Sequence, residues 1–131
     1  SNWEVPDSGN QTNLGSLVSE SSGCFSFSET GFYQVSFTAG YEAFGSGNAY
    51  GYFAIYSTTD NSTYVEVARA YFGGTGSTDW GQGTIDVILD ITNTTNDKVK
   101  VYFTEASGDT RLNGDTTINS TYVTFKKLGD T

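Results

Sequence analysis

The sequence predicts an all-β chain folded as an antiparallel sandwich or barrel. Three observations predict it. Apolar residues recur at every second position and no segment keeps a helical period. Aromatics make up 15% of the 131 residues, beside 16 Gly and one Pro, a mixture suited to pleated strands and tight turns. The alternating runs are short and closely spaced, with Gly, Asn, Asp, Ser and Thr between them. A chain of this length forms one ordinary domain over residues 1–131, able to bury roughly two-thirds of the surface its unfolded form exposes. No linker or internal boundary is visible.

About eight strands follow in order. Residues 1–20 make a lead-in and a first strand, "LGSLVS". "CFSFS" comes next, with Cys24 facing opposite to Phe25 and Phe27. "FYQVSFTA" alternates Tyr33, Val35 and Phe37 against Phe32, Gln34 and Ser36, while "AYGYFAIYS" is apolar on both faces. "YVEVARAYF" sets Val65, Val67 and Tyr71 against Glu66 and Ala68. "TIDVILDIT" is the cleanest strand, with Ile85, Val87, Leu89 and Ile91 inward and Asp86, Ile88 and Asp90 outward. "KVKVYFT" points Val99, Val101 and Phe103 away from Lys98, Lys100 and Tyr102, and "TYVTFKKL" opposes Val123 and Phe125 to Tyr122 and Thr124.

The connections carry turn chemistry. Gly-Asp-Thr occurs at 108–110, 114–116 and 129–131, and Gly-Asp and Asn-Gly pairs supply positive backbone dihedrals and self-capping side chains. A calcium loop needs several oxygen ligands at fixed spacing with a bidentate acid, and no such pattern is present. No metal or other cofactor is expected.

Charge and composition exclude several functions. Six basic residues against 15 acidic ones give a net charge of −9, which repels phosphate backbones and anionic lipid, so nucleic acid is not an expected partner. No run approaches the apolar length needed to insert in a bilayer, and "SNWEVPDSGN" has neither the basic region nor the apolar core of a signal peptide. The chain lacks an initiator Met: either it was removed before Ser1 or the domain was cut from a longer protein. Cys24 is the only cysteine, so no internal disulfide forms. There is no His, hence no Ser-His-Asp or Cys-His arrangement. Asp86 and Asp90 share a strand face but stand about 13 Å apart at roughly 3.3 Å per residue, beyond the separation of glycosidase carboxylate pairs. No enzyme is expected.

Two loops offer binding chemistry. Asp60-Asn61 in "STTDNSTY" and Asp79-Trp80 in the Gly-rich "GSTDWGQG" present amide, carboxylate and indole groups suited to a polar, glycan-like ligand; the alternative is that both are ordinary solvated turns, with Trp80 covering the end of the sandwich. Asn10, Asn61, Asn93 and Asn119 each begin an Asn-x-Ser/Thr sequon, a frequent chance occurrence in a chain this rich in Asn, Ser and Thr.

The order of these pieces resembles the globular heads of complement C1q and the tumour-necrosis-factor superfamily. Gly31-Phe32-Tyr33, Leu89 with Asn96-Asp97-Lys98-Val99, and Ser120-Thr121-Tyr122 with Phe125 occupy the places of the family's short motifs between about Ser21 and Leu128. Asn96-Asp97 departs from the family's more frequent Gly-Asp turn. The resemblance implies a ten-stranded antiparallel jelly-roll sandwich that assembles as a homotrimer, with ligand bound on outer loops. Phe32, Tyr102 and Tyr122 lie opposite the core-directed residues of three strands, and a contiguous aromatic patch there would be buried in the trimer.

Low Lys content, the lone thiol, Asn/Thr/Gly-rich loops and the ending "TYVTFKKLGDT" look most like C-terminal heads of bacteriophage structural proteins, those of marine phages in particular. That likeness implies a non-enzymatic virion component at the particle surface: a fibre or appendage head contacting other virion proteins and a host-surface glycan or protein. A capsid decoration protein is the alternative, and a secreted recognition domain a further one.

Overall fold

A computed structural model of the chain describes residues 3–5, 15–44, 49–74, 78–107, 109–115 and 117–131. Among them run nine strands: β1 (Val18–Ser21), β2 (Cys24–Phe27), β3 (Gly31–Phe44), β4 (Ala49–Thr58), β5 (Val65–Gly74), β6 (Thr78–Ile91), β7 (Lys98–Ser107), β8 (Asp109–Leu112) and β9 (Tyr122–Gly129). One sheet has the order β1-β2-β7-β4-β5; in the other, β3 pairs β6 on one edge and shares its second edge between β9 and β8. All pairings are antiparallel. The expected all-β antiparallel sandwich is what the chain forms.

The pairs β4·β5, β3·β6 and β2·β7 are nested one outside the next and fall alternately in the two sheets. The middle of the chain therefore behaves as one long hairpin rolled over on itself. This nesting gathers the inward positions of both sheets into a single core.

That core is the alternation made solid. Tyr33, Val35, Phe37 and Ala39 of β3 face Phe53 and Ile55 of β4, with Val99, Ile85, Ile91, Phe25 and Phe27 closing around them. Rings meet edge to face between Phe37 and Phe53 at 5.8 Å, and Trp3 joins from the lead-in, 5.7 Å from Phe25 and 6.3 Å from Phe37. Each fully buried side chain of this size contributes about 1.5–3 kcal/mol. The buried Tyr33 hydroxyl donates to the Glu29 carbonyl at 3.1 Å, so its one polar atom is satisfied.

Three elements depart from the expected layout. In β5 it is Ala68, Ala70 and Phe72 that turn inward, while Val65, Val67 and Tyr71 are exposed. The Phe72 ring stacks on Phe103 at 4.7 Å and 6°, and unbroken alternation from Phe72 back to Ala68 sets the facing of that stretch. The register shift opposite Ile55 and Tyr56 leaves Val67 as the extra residue of a bulge. Second, β6 starts at Thr78, so "TDWGQG" is strand and not loop. Its glycines make room for rings: a Cβ on Gly81 would sit 2.3 Å from the Tyr41 ring, and one on Gly83 2.6 Å from Phe53 Cζ. Third, Asp109 and Thr110 of the first Gly-Asp-Thr belong to the short β8, paired with Phe44 and Ala43.

Candidate functional site

Alternation that fills the core on one side of β4, β5 and β7 loads the other side with tyrosines. Tyr52 and Tyr56 of β4 point out of the five-stranded sheet, beside Tyr71, Arg69 and Glu66 of β5 and beside Tyr102, Lys100 and Lys98 of β7. Arg69 orders the centre of this face. Its guanidinium carbon lies 3.9 Å from the centroid of the Tyr52 ring and 5.6 Å from that of Tyr71. One terminal nitrogen donates to Glu66 Oε2 at 2.6 Å and the other to the Tyr71 hydroxyl at 3.1 Å. Tyr56 donates its hydroxyl proton to the same Glu66 oxygen at 2.8 Å, and its ring meets Tyr102 at 5.0 Å.

The protonation states follow from these bonds. The hydrogen bond from Arg69 holds the Glu66 carboxyl below the usual carboxylate range. The bond to Glu66 raises the Tyr56 hydroxyl above an ordinary tyrosine, because it stabilises the protonated phenol. Further along, Lys100 Nζ sits 4.1 Å above the Tyr64 ring, and the Tyr64 hydroxyl is 3.2 Å from the Cys24 sulfur. Burial first, and the thiol second, push that hydroxyl up to about 12. The result is a flat face of rings with a fixed polar centre. Tyr71 is 73% exposed and Tyr102 50%.

The loop residues expected to bind ligand do not come together. Asp60 and Asn61 lie in the β4–β5 connection, where the Asn61 amide donates to the Asn96 carbonyl at 3.1 Å, beside the turn that follows Ile91. Trp80 stands near the start of β6, opposite Glu42. Eleven residues of β6 separate Trp80 from Ile91, about 36 Å at roughly 3.3 Å per residue. Asp60 and Asn61 are therefore at one end of the sandwich, Asp79 and Trp80 at the other.

Asp60 is also committed. Its Oδ1 accepts from the amides of Ser62 (2.8 Å) and Thr63 (2.6 Å) and from the Thr58 hydroxyl (2.8 Å), and the backbone bonds, Thr63's first, hold its carboxyl far below the usual range. Asn61 takes a left-handed φ of 59°, a conformation its short polar side chain tolerates. Trp80 is 64% exposed, an open indole on the outward face of a strand.

The three residues expected at a trimer interface divide between two faces. Phe32 and Tyr122 project from the outer face of the sheet built on β3, where Tyr122 is opposite Thr38. Tyr102 projects from the outer face of the other sheet, because β7 pairs β2 and β4. They make no single patch. The face that Phe32 shares instead carries Ile88, one diagonal step away through the Gln34↔Ile88 and Phe32↔Asp90 pairs, together with Trp80.

Tyr52, Tyr56, Glu66, Arg69 and Tyr71 are functional candidates that reading along the chain missed. Their signal was the even-numbered tyrosines of "AYGYFAIYS", which look like a strand buried on both sides until the register shows which neighbours they have. No family model matches the chain, and no curated protein matches it either.

Proposed function

We propose that this chain is a non-enzymatic head domain that assembles as a homotrimer on a virion fibre or appendage and binds the host surface. The observation that carries the reading is the outer face of the β9-β3-β6 sheet. Ile88 there is 61% exposed and Phe32 40%, adjacent on neighbouring strands. Trp80 adds a third exposed apolar group on the same side, and Tyr122 a half-buried fourth. Apolar groups so placed are covered most readily by the same face of another copy.

Charges of both signs stand among them, Asp86 and Asp90 on either side of Ile88 along β6 and Lys126 across β3 from Ile88 on β9, so association need not bury a lone ion. The nested strand order supports the jelly-roll reading, and the virion setting rests on the sequence likeness to phage heads. With one face given to assembly, the tyrosine face of the five-stranded sheet points away from the trimer axis and is the side left to meet a ligand.

Sedimentation equilibrium tests it. The parent domain should sediment at three times its chain mass, and Ile88→Asp should sediment as a monomer with an unchanged far-UV spectrum, because three carboxylates near the axis cost several kcal/mol each. A monomeric parent overturns the reading.

A further inference from the structure

We infer that the outer face of the five-stranded sheet is a binding platform for an acidic polysaccharide, a sugar chain bearing carboxylates. The inference deepens the proposed host-binding role and rests on it for its biological setting, but the binding itself requires no trimer. Two aromatic pairs stand on this face: Tyr52 with Tyr71 at 6.1 Å, and Tyr56 with Tyr102 at 5.0 Å. Tyr52 and Tyr56 are four residues apart on one strand, about 13 Å at roughly 3.3 Å per residue, a span that a short run of sugar rings covers. Tyrosine suits the task because its ring offers a rigid apolar surface and its hydroxyl a polar handle, at little entropy cost.

Between the pairs, Arg69 and Glu66 are held in place by each other, by the Tyr56 and Tyr71 hydroxyls and by the Tyr52 ring. Sugar hydroxyls thus meet polar groups already ordered, so less entropy is lost on binding.

Charge selects the class of glycan. The chain carries six basic residues and 15 acidic ones, yet Arg69, Lys98 and Lys100 all stand on this one face. Among the described outward positions of its strands, Glu66 is the one carboxylate, and Arg69 neutralises it at 2.6 Å. Lys98 and Lys100 then leave the β7 side of the face cationic on a protein that is otherwise strongly anionic. The opposite face bears Asp86 and Asp90. Elsewhere Arg111 pairs with Glu42, Lys127 pairs with Glu29 and Asp130, and Lys126 shares its face with Asp86 and Asp90, so this face is the most favourable one for a polyanion.

The test uses the purified domain with three polymers: alginate, which is a polyuronate; dextran, a neutral glycan; and inorganic polyphosphate, an anion without sugar rings. Alginate should be retained in affinity electrophoresis, and both controls should bind at least about tenfold more weakly. Replacing Tyr71 and Tyr102 together by Ala should weaken alginate binding about tenfold or more, the scale of two lost ring contacts, with sedimentation and far-UV spectrum unchanged. Tyr71→Phe should keep most of the binding, and Lys98→Gln with Lys100→Gln should flatten its dependence on salt. Absence of alginate binding overturns the inference, as does equal retention by polyphosphate or dextran, or a double alanine variant that binds like the parent. Because sedimentation is read separately, loss of the platform and loss of the trimer are told apart.

Discussion

At the scale of single residues, three carboxylates of this protein serve its own turns. Asp60 accepts three hydrogen bonds within the β4–β5 connection. Asp115 does the same for the Thr117 amide and hydroxyl and the Ile118 amide, and Asp97 is buried while receiving the amides of Thr92 and Asn93. The Asp60 carboxyl is depressed in the folded state, so its contribution is fully present above the ordinary carboxylate pKa of about 3.9 and is lost as pH falls toward the folded value. Asp60→Ala should therefore melt below the parent at pH 7, and the gap should narrow at pH 2. Asp60→Asn, which keeps an acceptor, should melt between the two. Thermal melts at the two pH values check this; a gap that does not change with pH would show that the charge of Asp60 contributes nothing.

At the scale of elements, strands pack through complementary gaps as much as through large side chains. A Cβ on Gly51 of β4 would lie 2.1 Å from the Thr104 carbonyl oxygen and 2.6 Å from Phe72 Cζ. The first of these is backbone of the paired strand β7 and cannot turn aside. Gly51→Ala should destabilise the domain by about 3 kcal/mol, at the upper end of overpacking costs. Gly114→Ala, with nothing within 4 Å of its Cβ position, should be close to neutral. Urea titrations of the two variants distinguish a glycine required by packing from one that neither packing nor backbone conformation requires. The edge strand β5 shows the same economy on its outer side: the bulge at Val67 and the charged Glu66–Arg69 pair interrupt an edge that could otherwise accept another strand.

At the scale of the whole molecule, the two sheets give the protein two outer faces of different chemistry. One carries Phe32, Ile88 and Trp80 among carboxylates; the other carries tyrosines among cations. This division predicts how substitutions sort. Tyr102→Asp should leave the sedimenting mass of the domain unchanged and lower alginate retention, whereas Ile88→Asp should do the reverse. A change of mass on substituting Tyr102 would place the assembly contact on the tyrosine face and reverse the assignment of the two sides.

The sequence by itself determined the all-β class, the inward residues of most strands and the absence of imidazole chemistry. Tyr33, Val35 and Phe37, the alternating residues of β6 from Ile85 to Ile91, and Val99, Val101 and Phe103 are written in period 2, and a local pattern needs no partner to be read. Which strand lies beside which was decided only in three dimensions. The sequence could not show that Tyr102 and Phe32 face opposite ways from the molecule, because each is outward on its own strand and the sheet assignment comes from pairing over long separations. Nor could it show that "TDWGQG" is strand, since glycines that admit the rings of Tyr41 and Phe53 read locally as a loop. The facing of β5 was lost for the same reason: Val67 is a good inward residue taken alone, but Phe72 stacked on Phe103 sets the alternation back to Ala68, and the bulge at Val67 then shifts it, which only the pairing with β4 reveals.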